Sequence, residues 1–204
     1  DVKQLLANQQ VAAGESNIFA LDPALLRARL ESDPMVQRAE LRRRLPETLE
    51  VCVFGRTPVV QLYAPGGQLL DDQGVSLPPS PRGDYQQLPV LTGLRELGQF
   101  RPGQVVDHPM VKATLDLLRL LATTPEGKII QPKVIQVTAS SQELTLLLNP
   151  SPAAMIRDGC QLVLPARDLQ AALARASAVL RDRAAANQPT GRIDATYARV
   201  PVEP

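Results

Sequence analysis

Residues 39–56 read AELRRRLPETLEVCVFGR, and the reading of this stretch decides the fold. In its second half Leu49, Val51 and Val53 alternate with Glu50 and Cys52. A period of two sends successive side chains to opposite faces of a strand. A second extended run, residues 36–45, lies just upstream, and only Pro46-Glu47-Thr48 separates the two. So short a connection joins neighbouring antiparallel strands, so the stretch predicts a β-hairpin.

Toward the N-terminus the period changes. Asp22-Pro23 is a helix start, because Asp can cap free N–H groups and Pro suits the first turn. Leu25, Leu26 and Leu30 then fall on one helical face, and Asp33-Pro34 ends the helix, since a residue before Pro is pushed out of helical geometry. Residues 2–13 also carry helical spacing, with Gly14 as a stop. The order is helix, helix, strand, strand.

Toward the C-terminus the pattern shifts after Gly55. Residues 59–63, 68–70 and 75–77 predict short strands, broken by the turn sequences Pro65-Gly66-Gly67 and Asp71-Asp72-Gln73-Gly74. Residues 78–84 predict a loop and residues 88–91 another extended piece. Asp107-His108-Pro109 opens a helix to about residue 122, with Met110, Leu117, Leu118 and Leu121 apolar. Strands are expected at 133–138, 143–148 and 160–164, then a helix over 166–186 whose Leu169, Leu173, Ala176 and Leu180 form one stripe. Residues 192–202 predict a final strand. The expected fold is α+β: a small unit over residues 1–56, then a larger mixed β-sheet domain with two helices over residues 57–204.

Composition narrows the function. The 22 basic and 21 acidic residues leave a net charge of +1, which gives no electrostatic reason to expect nucleic acid as a partner. Arg42-Arg43-Arg44 is the sole basic run and reads as a solvated strand end. No stretch approaches the ~20 apolar residues of a membrane-spanning helix. The chain opens on Asp1 and reads as part of a longer or processed polypeptide. Cys52 and Cys160 stand far apart, each within an apolar run, and are expected to be small buried hydrophobes.

Residues for catalysis are scarce. His108, the sole histidine, sits at a helix start and reads as a cap. Asp71 and Asp72 are adjacent, so on a strand they would face opposite ways, and a turn accounts for them. The glycines fit no phosphate-binding loop. We expect a binding module that is not an enzyme and uses no cofactor or metal.

An ordered series of short motifs resembles the bacterial FtsQ/DivIB family of cell-division proteins. Asn17-Ile18-Phe19-Ala20-Leu21-Asp22, with Leu30 and Asp33-Pro34-Met35-Val36, resembles the entry to that family's hairpin; residues 39–56 resemble the hairpin itself, and Pro58-Val59 continues it. Leu70-Asp71 with Gly74, then Leu88-Pro89-Val90-Leu91-Thr92-Gly93, resemble two later elements, and Arg192-Ile193-Asp194 to Tyr197 resembles the terminal strand. Two positions depart: Gly55 replaces a glutamate, and Thr196 replaces a basic residue.

The resemblance implies a small POTRA domain lacking its first strand, followed by a β-domain. It implies a non-catalytic scaffold of the division machinery at the bacterial inner membrane, single-pass, with this region outside the cytoplasm. It further implies partners of the FtsB/DivIC and FtsL type, other division proteins at the POTRA unit, and control of septal peptidoglycan synthesis. The partner-binding segment it indicates is Thr196, Tyr197, Ala198, Arg199 and Val200, as an edge strand that a partner extends. Two other readings are a POTRA-bearing polypeptide-binding module of outer-membrane assembly or secretion, and a peptidoglycan-modifying enzyme. The former would carry tandem copies or a barrel, and the latter a pocket with convergent ionisable groups.

Overall fold

The computed structural model describes residues 2–8, 19–63, 67–79, 85–94, 100–138, 140–197 and 201–203. Helix α1 spans Val2–Asn8 and α2 spans Pro23–Glu31; strands β1, Val36–Arg44, and β2, Thr48–Gly55, form a two-stranded antiparallel sheet. The sequence signals at α2 act as expected. Asp22 caps it through its carboxylate, which accepts from the Ala24 N–H at 2.9 Å, and Pro23 occupies the first turn. The helix ends at Glu31, before Pro34. Residues 9–18, which held the rest of the first predicted helix and its Gly14 stop, lie outside the described residues.

The hairpin pairs Ala39 with Val53 and Leu41 with Val51 on one face, Glu40 with Cys52 and Arg42 with Glu50 on the other. Leu26, Leu30 and Ala39 form a small buried cluster, with Leu6, Leu41, Leu49 and Val51 packed against it. Two expectations fail here for one reason: among the described residues the small core covers the hairpin on a single face. Cys52 points to the other face and is exposed. Leu25 is 51% exposed, because α2 presents only its 26/30 stripe to the sheet.

The second sheet has nine strands: β3 Pro58–Leu62, β4 Gln68–Asp71, β5 Ser76–Leu77, β6 Val90–Thr92, β7 Pro132–Thr138, β8 Glu143–Leu148, β9 Ile156–Pro165, β10 Thr190–Asp194 and β11 Val202–Glu203. Their order is β11-β10-β9-β8-β7-β6-β3-β4-β5. The sheet is mixed, with parallel pairing at β3/β6, β6/β7 and β9/β10. Helices α3, Pro109–Thr123, and α4, Leu169–Ala185, pack on it. One row of the register runs Leu62, Leu91, Ile135, Leu146, Leu162 and Ile193 from strand to strand, all buried. Leu117, Leu121, Leu173, Ala176 and Leu180 of the two helices join them in one core, which shares no residue with the small cluster around Leu30.

The β5 margin of this sheet is closed by its own chain. Ser76 N–H donates to Gln104 O at 2.8 Å, Gly103 N–H to Ser76 O at 2.7 Å, and Val106 N–H to Gly74 O at 2.9 Å. At the other margin the structure corrects the sequence reading. No continuous strand runs over 192–202: β10 stops at Asp194, residues 195–197 turn, and β11 returns antiparallel with Ile193 opposite Val202.

The two thiols differ in a measurable way. Cys160 is fully buried and unpaired, and burial pushes its pKa up. In folded protein a disulfide-forming thiol reagent should therefore modify one cysteine, Cys52, with Cys160 reacting only on unfolding. Cys52→Ser should abolish the native-state signal; modification of two thiols without unfolding would contradict the burial. The raised pKa also fixes a sign. Its contribution to stability is intact below the ordinary thiol value and declines as pH rises above it, where the unfolded thiol ionises first.

Candidate partner-binding margin

The turn after β10 is built by Asp194. Its Oδ1 accepts from the Thr196 N–H at 3.0 Å and from Thr196 Oγ1 at 2.5 Å, a side-chain turn that competes with strand pairing. Ile193 and Ala195 are fully buried and anchor the segment from below. The Ala195 N–H donates to Val163 O on β9 at 2.9 Å, and its carbonyl accepts from Arg175 Nη2 of α4 at 2.8 Å. The chain closes back with the Asp194 N–H donating to Pro201 O at 3.2 Å.

These contacts fix Thr196 and Tyr197 at the rim of the sheet, in a turn and not in a strand. Thr196 is tied down by Asp194, whereas Tyr197 is 62% exposed. Ala198, Arg199 and Val200, the rest of the expected partner-binding segment, lie outside the described residues. Among the described residues β11 pairs with β10 at Arg192 and Ile193, and the outermost strand of this margin spans Val202–Glu203. The sequence did carry a signal for the turn: Asp two residues before Thr is a side-chain-turn pair. The alternation across residues 192–200 masked it.

The other residues singled out resolve into structural roles. His108 caps α3, its Nδ1 accepting from the Met110 N–H at 3.1 Å. Asp71 lies in the expected turn, its Oδ1 accepting from the N–H groups of Gln73 at 2.9 Å and Val75 at 2.8 Å. It is also fully buried and ion-paired at 2.6 Å with Arg56 Nη1, a contact that spacing could not indicate. A cavity of about 240 Å³ lies between this turn and the start of α3, lined by Asp72, Asp107, His108, Lys112, Asp116 and Arg119 among others. Within it Arg119 reaches Asp116 at 3.0 Å and the Asp72 carbonyl at 3.3 Å. Among the described residues no group of three or more His, Cys, Asp and Glu is placed to hold a metal. No helix among them is long and apolar enough to cross a membrane.

Residues 1–54 match the POTRA domain, FtsQ-type. Cell division protein FtsQ of Rhodothermus marinus is 36% identical over 118 residues, which is 55% of this chain and 42% of that protein. This chain is similar to FtsQ over about half its length. FtsQ of an Anaeromyxobacter species is 32% identical over 116 residues, 57% of this chain and 39% of its own length. FtsQ of Novosphingobium aromaticivorans is 37% identical over 109 residues, 53% of this chain and 30% of that protein. The chain thus spans less than half the length of the FtsQ proteins it matches. The helix, the hairpin and the small cluster beneath it fall within the segment matched to the FtsQ-type POTRA domain.

Proposed function

We propose that this chain is a non-enzymatic scaffold of bacterial cell division that binds other division proteins, of the FtsB/DivIC and FtsL type, at the β10–β11 margin, and that through them it helps to control septal peptidoglycan synthesis. In this reading residues 1–56 are a POTRA domain that contacts further division proteins, and residues 57–204 are the partner-binding domain. The protein works at the bacterial inner membrane with this region outside the cytoplasm. The similarity to FtsQ supports the cell-division setting.

The observation that carries the binding site is the rim at Tyr197. A two-residue outer strand leaves main-chain groups that an extended segment can pair with, and such pairing takes affinity from the backbone and specificity from flanking side chains. Tyr197 stands beside that margin with most of its ring in solvent, and tyrosine is a frequent interface anchor, apolar in body and polar at the tip. Thr196, held by Asp194, sets the angle from which the ring leaves the sheet. Ala198, Arg199 and Val200 continue the proposed contact.

The test is titration of a labelled FtsB-type peptide against wild type and Tyr197→Ala. Loss of a buried anchor should cost about 2 kcal/mol, roughly a 30-fold weaker Kd. Thermal melts of the two proteins should coincide, since the ring is exposed in the free chain. Equal affinities, or weakening that tracks a lowered melting temperature, would reject the site.

A further inference from the structure

The two sheets have separate cores, and the joint between them carries contacts that bear on how one sits on the other. That joint is short: only Arg56 and Thr57 separate β2 from β3. Arg56 serves both sides. Its N–H donates to the Met35 carbonyl at 2.8 Å, next to the Val36–Gly55 pair that ends the hairpin. Its side chain points the other way, with Nη1 at 2.6 Å from Asp71 Oδ2 and 3.0 Å from Gln73 Oε1. Asp71 is fully buried and its other oxygen is committed to the Gln73 and Val75 N–H groups, so the carboxylate is fixed in the β4–β5 turn. Arg56 itself has only 16% of its side chain exposed. The turn between α2 and β1 offers a second contact there, Pro34 facing Gly103 of the segment that closes the β5 margin.

We propose that the Arg56–Asp71 ion pair is a latch that holds the N-terminal hairpin unit at one orientation on the nine-stranded sheet. A buried charge pair suits this task. It is directional, it is little screened by salt, and moving the hairpin would leave Asp71 buried without its counter-charge. An apolar joint would tolerate sliding, whereas a guanidinium on a fixed carboxylate does not. The consequence is that a load or partner on the hairpin reorients the large sheet with it. The inference rests on the division into two units at residue 56.

The experiment measures that orientation in the 204-residue chain. Spin labels go on Leu45→Cys at the exposed hairpin tip and Lys133→Cys on β7, in a Cys52→Ser background, with buried Cys160 left in place. Wild type should give one narrow distance distribution. Asp71→Asn keeps the oxygen that accepts from Gln73 and Val75 but removes the charge that Arg56 meets, and should widen the distribution at least twofold. The double variant Arg56→Met/Asp71→Asn leaves no charge unpaired, guards against failure to fold, and should widen it equally. In both, amide exchange in β7, β8 and β9 should stay as slow as in wild type. Equally narrow distributions in wild type and both variants, or a wild type as broad as they are, would overturn the latch. Selective loss of hairpin protection in a Leu30→Ala variant reports on the division into units separately.

Discussion

Gly93→Ala is expected to destabilise the protein by at least about 3 kcal/mol, more than a strained backbone alone would cost. Gly93 follows β6 with φ at +93°, a conformation that residues with a Cβ rarely adopt. Space is the harder constraint. A Cβ there would lie 2.2 Å from the Val137 carbonyl oxygen and 3.1 Å from its nitrogen, both backbone atoms of β7. Strand β7 cannot yield without disturbing its pairing with β6 and β8 in the middle of the sheet. Gly159 supplies the control: φ is +84°, but nothing lies within 4 Å of an added Cβ. Gly159→Ala should cost only about 1–2 kcal/mol, the strain without the collision. Urea unfolding of the three proteins decides it, and equal midpoints for the two variants would show that the close approach at Gly93 is relieved at no cost.

The second large effect concerns the two cores. Leu146→Ala should cost about 4 kcal/mol, in the upper part of the range for buried leucines, because Ile135 and Leu162 flank it across the register and the side chain is fully enclosed. Leu30→Ala should cost about 2–3 kcal/mol, since the half-buried Leu6, Leu41, Leu49 and Val51 around it can close in. The two should also differ in where they act. Amide exchange after Leu30→Ala should speed up in β1 and β2 while β7, β8 and β9 keep wild-type protection. Uniform acceleration through both sheets would mean that they unfold as one cooperative unit.

Periodicity made most of this fold legible. Leu49, Val51 and Val53 alternate over a hairpin with one covered face, and Leu169, Leu173, Ala176 and Leu180 recur on α4 as a buried stripe. Local punctuation also spoke clearly at Asp22-Pro23 and His108-Pro109, where capping chemistry is written in adjacent residues. What periodicity could not report was coverage. Cys52 and Leu25 are apolar residues in apolar patterns, yet among the described residues no core cluster includes them and they are exposed. The candidate site was legible only in outline. Resemblance led to the segment around Tyr197, but the alternation there continues through a turn, and the Asp194 carboxylate that breaks the strand acts over just two residues. The Arg56–Asp71 pair joins residues fifteen apart in sequence by tertiary geometry alone, and no spacing rule reaches it.

The margins of the nine-stranded sheet give it a valence. At β5 the positions a guest strand would need are already filled by residues 103–106 of the same chain. Among the described residues none pairs with the outer side of β11, the margin proposed above for a partner. A sheet with two open sides can serve as a link in an endless ribbon, each copy passing its pairing on to the next. A sheet with one open side can only terminate: it accepts a single strand and offers nothing to a following copy. Crowding many such molecules at one place therefore multiplies one-to-one complexes and does not grow a fibre through this sheet.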